Sequence, residues 1–131
     1  MNDNVEFRTD PRPPEHVFTP LWRDAWGADW TGDLDRILDR SLVHVGAYEG
    51  ETLIGYVNVA WDGGVHAFLL DPTVHPSHRR RGIGAGLVKR AIELARDRGA
   101  TWMHVDYEPH LEGFYQSAGF RDTKAGLLRL R

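Results

Sequence analysis

The sequence predicts an α/β fold in which helices cover the faces of one mixed sheet. Two stretches carry that expectation. From Ser41 to Val74 the chain runs through three strand-like segments, "SLVHVGAY", "LIGYVNVAW" and "VHAFLLDPTV", separated by the turns "EGET" and "DGG". Links this short make neighbouring strands antiparallel, so the three form a meander. Further on, Ile83, Leu87, Val88, Ala91, Ile92 and Ala95 recur three and four residues apart, which gives a helix one apolar face. A strand-like segment stands on either side of that helix, and such a crossover joins parallel strands.

The remaining elements follow in order. Val5 to Thr9 alternates as a short first strand. "DPRPP" breaks the chain, and Pro13 and Pro14 suit the first turn of a helix that carries Val17, Leu21, Trp22, Ala25 and Trp26 at helical spacing. "GADWTGD" is a loop, after which Thr31 or Asp33 caps a second short helix with Leu34, Ile37 and Leu38 on one side. Pro72 lies near the end of the third meander strand. It cannot donate to a ladder, so a bulge or unpaired stretch is expected there. Gly99 stops the long helix. "TWMHVDY" is a strand, Pro109 opens a short helix closed by Gly119 and Phe120, and "LLRLR" is a last short strand.

A length of 131 residues suits one domain, 1–131. The net charge of −3 argues against nonspecific nucleic-acid binding. There is no cysteine, which excludes a disulfide framework, a thiolate nucleophile and cysteine-ligated zinc. The polar start "MNDNVEFRTD" is no signal peptide, and no apolar run approaches the roughly 20 residues that span a bilayer. The expectation is a cytoplasmic domain with neither a nucleic-acid nor a membrane partner.

The densest positive charge, Arg79 to Arg81, stands immediately before glycines at 82, 84 and 86 and the start of the long helix. A helix N-terminus presents unpaired N–H groups and a partial positive charge. Glycine lets an anion approach that backbone, and arginine adds charge-assisted hydrogen bonds. The stretch reads as a phosphate site. Its G-x-G-x-G spacing differs from the dinucleotide fingerprint, and it lacks the Gly-Lys-Ser/Thr ending of a P-loop.

These residues carry a resemblance. "VHPSHRRRGIGAGL" is similar to the acetyl-CoA signature of the GNAT superfamily of N-acetyltransferases, through Arg79, Gly82 and Gly84 and the lead-in Val74, His75 and Pro76. "EPHLEGFYQSAGF" resembles the family segment ending in Phe-Tyr-x-x-x-Gly-Phe. The match runs from about Val65 to Phe120. It implies a GNAT-like sheet whose strands splay apart near Asp71–Val74. It also implies direct acetyl transfer from acetyl-CoA, without a metal, to an amine of a small molecule or peptide, and a possible homodimer. The resemblance places backbone amides of Arg80, Arg81, Gly82, Ile83, Gly84 and Ala85 around the pyrophosphate, with Arg79 neutralising charge. The main chain of Val74 would bond the pantetheine arm and polarise the thioester carbonyl. Tyr115 would serve the leaving sulfur.

The base that deprotonates the amine stays open. Relatives carry a glutamate at the register of Phe68. His66 shares that strand face and is the first choice, Glu108 is the second, and Asp71 lies nearer the bulge. Water, or an amine that arrives neutral, remains an alternative. Trp26, Trp30 and Asp71 are candidates for the acceptor pocket. His75 and His78 have no third or fourth partner in the sequence pattern and read as solvated or phosphate-adjacent, not as metal ligands. A non-catalytic acyl-CoA-binding module is the alternative from another class.

Overall fold

Five strands lie side by side in chain order in the computed structural model, which describes residues 4–131. They are β1 (Val5–Thr9), β2 (Ser41–Glu49), β3 (Thr52–Trp61), β4 (His66–Val74) and β5 (Trp102–His104). The first four pair antiparallel, so β1 extends the expected meander by one strand. β5 pairs with β4 in parallel after a crossover through α3 (Ile83–Asp97). The other helices are α1 (Glu15–Trp26), α2 (Leu34–Asp39) and α4 (Glu112–Ser117), with single 3-10 turns at Pro76–His78 and Pro109–Leu111.

β2 and β3 are buried along nearly their whole length because both faces are covered. α3 presents Ile83, Leu87, Val88, Ala91 and Ala95 to Val57, Val59, Ala67 and Leu69 on one face. On the other face Phe18 and Leu21 of α1 and Leu34 and Leu38 of α2 enclose Tyr48, Leu53 and Tyr56. Asp33, not Thr31, caps α2, its carboxylate accepting from the Arg36 amide at 3.1 Å. Gly27 ends α1 in the left-handed conformation, with φ of 69°.

A polar cluster around the buried His44 ties β1 and β2 to α3. His44 is buried, and its Nε2 accepts from the Arg12 amide at 2.9 Å. Asp10 accepts from the His44 amide at 3.0 Å and from Arg98 at 2.7 Å, while Arg98 also reaches the Leu42 carbonyl. Burial pushes the His44 imidazole from its usual 6.5 down to about 4, against the pull of the Asp10 charge.

Two expectations need correction. The strand expected over "TWMHVDY" shrinks to Trp102–His104. Beyond Phe68 and His104 no pairing joins β4 to β5, so Val105 and Tyr107 pack on the core without a ladder. The expected last strand, "LLRLR", does not form: residues 120–131 carry no helix or strand, and Leu127, Leu128 and Leu130 are 81–89% exposed. Alternation is not enough for a strand; it needs a neighbour to complete its hydrogen bonds. No helix among the described residues is long and apolar enough to cross a membrane.

Candidate functional site

β4 runs six residues past its last contact with β5, and the sheet therefore opens between them. The opening exposes main chain. The amide of His75 donates to the Ile54 carbonyl at 2.8 Å. Backbone groups alternate along an antiparallel strand, so the N–H and C=O of Val74 face the other way, into the opening. Just before it β4 bulges: Asn58 pairs with Leu70 but Tyr56 with Thr73, so β4 carries one extra residue. Asp71 accommodates it with φ of 54°, and Pro72 contributes no amide.

On the α3 side of the opening stands the arginine–glycine loop. Arg80 and Gly82 adopt left-handed φ of 64° and 75°. Gly82 caps α3 without any side-chain cap, and the first helical bond runs from Gly86 N–H to the Gly82 carbonyl. The amides of Ile83, Gly84 and Ala85 precede that bond and have no helical acceptor. The three glycines serve different ends. Gly82 supplies the positive φ. A Cβ on Gly86 would lie 2.8 Å from the Phe7 ring, so β1 demands that glycine. A Cβ on Gly84 would make only ordinary contacts with Val74 and Phe114, at 3.6 Å and beyond. Protein packing alone does not require glycine there.

On the α1 side is a cavity of about 170 Å³ lined by Ala25, Trp26, Pro72, Thr73, Val74 and Arg79. Trp26 is half exposed, and its indole N–H donates to Thr73 Oγ1 at 3.1 Å. Trp30 packs instead on Phe18 and Trp22, with its indole N–H buried and unpartnered. Asp71 is an exposed residue, yet neighbouring atoms desolvate its carboxyl and raise its pKa. Burial, and then the nearby charge of Asp71, pushes the Tyr56 hydroxyl well above its ordinary value.

Tyr115 is buried on α4, stacked on Tyr107 at 4.8 Å and edge-on to Phe114 and Phe120. Burial and the charge of Asp106 raise its pKa and keep the hydroxyl protonated. Glu108 is exposed at the start of the 3-10 turn, where its carbonyl accepts from the Leu111 amide. His66 lies at the paired end of β4, eight residues before Val74. Its Nδ1 is 2.8 Å from His104 Nε2, and His104 stacks on Phe68 at 4.8 Å. His104 as a partner of His66 was not legible in sequence, because only the parallel register, which pairs His104 with Phe68, brings it diagonally beside His66. The same holds for Asp24, 2.9 Å from His75 across 51 positions. Among the described residues no group of three or more His, Cys, Asp or Glu side chains is arranged to hold a metal ion.

Comparison with known proteins adds an independent line. Residues 4–120 match the model of the Acetyltransferase (GNAT) family. A mycothiol acetyltransferase of Brachybacterium faecium is 43% identical over 81 residues, which is 62% of this chain and 22% of that protein. Another, from Mycolicibacterium vanbaalenii, is 35% identical over 94 residues, 68% of this chain and 31% of its own length. The chain thus spans less than a third of these relatives. A GNAT family protein of Streptococcus pneumoniae superposes with a TM-score of 0.78 at 25% identity, covering 97% of this chain and 99% of the other. An aminoglycoside N-acetyltransferase solved with CoA shares the fold, with a TM-score of 0.76 at 20% identity over 97% and 94% of the two chains.

Proposed function

This chain belongs to the Acetyltransferase (GNAT) family, and from that premise we propose that it transfers an acetyl group from acetyl-CoA directly to an amine of a small molecule or peptide. The observation that carries the reading is the opening beyond Phe68 and His104. It places the main chain of Val74 between an uncapped helix N-terminus and an aromatic cavity.

Each wall of the opening has a chemical use. The edge of β4 at Val74 accepts an extended pantetheine arm as an added strand. The amides of Ile83, Gly84 and Ala85, with Arg79, Arg80 and Arg81 around them, balance the pyrophosphate charge. Acetyl-CoA supplies an activated acyl carbon. The Val74 N–H is placed to bond the carbonyl oxygen as charge grows on it. Pro72, two residues earlier, has no N–H to share that task. The amine nitrogen bonds to the acyl carbon, the carbon–sulfur bond breaks, and Tyr115 gives its proton to the sulfur. Trp26 offers a ring face to a cationic amine. Asp71, beside Pro72 and Thr73 of the cavity wall, holds that amine and takes its first proton; the second leaves the nitrogen as the amide forms and replaces the one Tyr115 gave up.

The test is release of free thiol from acetyl-CoA in the presence of aminoglycosides, amino sugars, polyamines and short peptides. Amine-dependent release supports the transferase. Tight acetyl-CoA binding with no release across the panel favours the binding module.

A further inference from the structure

We propose that Asp24, His75, Ser77, His78 and Glu49 form a proton-operated clasp that positions the loop from Arg79 to Ala85; the proposal rests on the reading of that loop as the acetyl-CoA site. The five side chains make one continuous chain of contacts. Asp24 Oδ2 is 2.9 Å from His75 Nε2, and His75 Nδ1 is 2.8 Å from Ser77 Oγ. Ser77 Oγ is 2.8 Å from His78 Nδ1, and His78 Nε2 is 3.3 Å from Glu49 Oε1. The chain binds the end of α1 and the end of β2 to the 3-10 turn Pro76–His78. That turn connects Val74, whose main chain faces the opening, to Arg79.

Counting protons shows what controls the clasp. Four contacts between polar heavy atoms need four hydrogens. With both imidazoles neutral there are three: one on each ring and one on the Ser77 hydroxyl. The best neutral arrangement sends each Nε2–H to its carboxylate and the hydroxyl hydrogen to His78 Nδ1. His75 Nδ1 then accepts from the Ser77 amide, which lies 3.2 Å away. It also faces the Ser77 oxygen at 2.8 Å with no hydrogen between them, a repulsive contact. One proton taken from solvent onto His75 Nδ1 completes all four side-chain contacts, in exchange for the 3.2 Å bond from the Ser77 amide, and leaves a single imidazolium between two carboxylates. The charged groups that face the rings are Asp24 from α1 and Glu49 from β2, which favour uptake. Arg79 adjoins His78 in the chain and opposes it. Proton uptake therefore closes the clasp and proton loss loosens it.

Two measurements on the intact chain test this. Long-range proton–nitrogen NMR spectra of the imidazoles, assigned with His75→Gln and His78→Gln, follow protonation directly. Calorimetry gives the acetyl-CoA dissociation constant over the same pH range. The 3′-phosphate of the ligand also titrates there, so the informative quantity is wild type against Ser77→Ala. That variant keeps both imidazoles and removes only the link between them. The expected result is that His75 and His78 titrate as one coupled pair in the wild type and separately in Ser77→Ala. Wild type should bind acetyl-CoA about tenfold tighter than Ser77→Ala at the acid end and equally at the alkaline end. Glu49→Gln should show the same loss in weaker form. Independent titration in the wild type, or parallel binding profiles for wild type and Ser77→Ala, overturns the clasp even though acetyl-CoA binds. Coupled titration with no acetyl-CoA binding at any pH overturns the cofactor reading, and the positioning role with it.

Discussion

Trp26 Nε1 donates to Thr73 Oγ1 across 3.1 Å, which fastens the last residue of α1 to the bulged part of β4. Thr73 Oγ1 in turn donates to the Asp71 carbonyl at 2.8 Å. One hydroxyl thus couples the cavity's aromatic wall to the strained residue beside it. Trp26→Phe keeps a ring but loses the donor. It should raise KM for the amine about 5- to 10-fold and leave acetyl-CoA affinity intact. Steady-state kinetics with each substrate varied in turn would show this, and an unchanged amine KM would remove Trp26 from the acceptor site.

Acetyl-CoA should raise the melting temperature of the wild type by mass action. Gly84→Glu should abolish that shift, because it sets a carboxylate where phosphate must sit. Gly84→Ala should fold as well as the wild type, since its Cβ meets only ordinary contacts. A thermal shift for Gly84→Glu equal to that of the wild type would place the ligand elsewhere.

Tyr115→Phe removes a hydroxyl and little else from a buried aromatic cluster. If that hydroxyl protonates the sulfur, turnover should fall about 100- to 10,000-fold while acetyl-CoA binding stays near wild type. Single-turnover rates beside calorimetric affinities would separate the two effects.

For the base, the expectation rests on Asp71, whose carboxyl is pushed above its ordinary value by desolvation. Its charge is lost as pH falls through that raised value, so kcat/KM for the amine should fall on the acid side. Asp71→Asn should erase that limb. His66→Ala and Glu108→Gln should each retain it; if either erases the limb, the base is reassigned to that residue.

Acid stability should depend on His44. Above 6.5 the imidazole is neutral in both folded and unfolded chains. Between 6.5 and about 4 only the unfolded chain takes up the proton, so stability falls as pH falls across that window. The loss attributable to this group should approach about 3 kcal/mol at the lower end. Urea unfolding of the wild type and His44→Asn across the window would reveal it: the variant should start less stable and lose less.

Much of this layout was legible in the residues. The strand-like runs of β2 to β4, the "DGG" turn and the spacing of Ile83 to Ala95 each state a local preference, and local preferences survived folding. Pro72 also announced its bulge, since a residue without an amide fits few places in a ladder. What failed was non-local. "LLRLR" alternates well, but whether it pairs depends on a free neighbour, which no local pattern encodes. The short β5 goes with the divergence of β4, whose bulge lies between Leu70 and Thr73, just past the last pair with β5. The contact of Asp24 with His75 and of His66 with His104 depends on which helix end and which strand register come together. Arg79 to Gly86 were readable as a glycine-led helix start beside three arginines because that pattern lies within one continuous stretch.

The three-residue seam between β4 and β5 also shapes how the molecule comes apart. β1 to β4 are joined in an antiparallel ladder and should unfold as one cooperative unit. β5 and the segment through α4 join that unit by a short parallel ladder, by α3 and by packing on the core, so they should be the less protected part of the sheet in native-state hydrogen exchange. An extended ligand arm lying in the opening would stand in for the missing ladder and join the two parts into one. Occupancy would then be written in the exchange rates of amides well away from any ligand atom, and the empty protein would be two foldons where the loaded one is a single foldon.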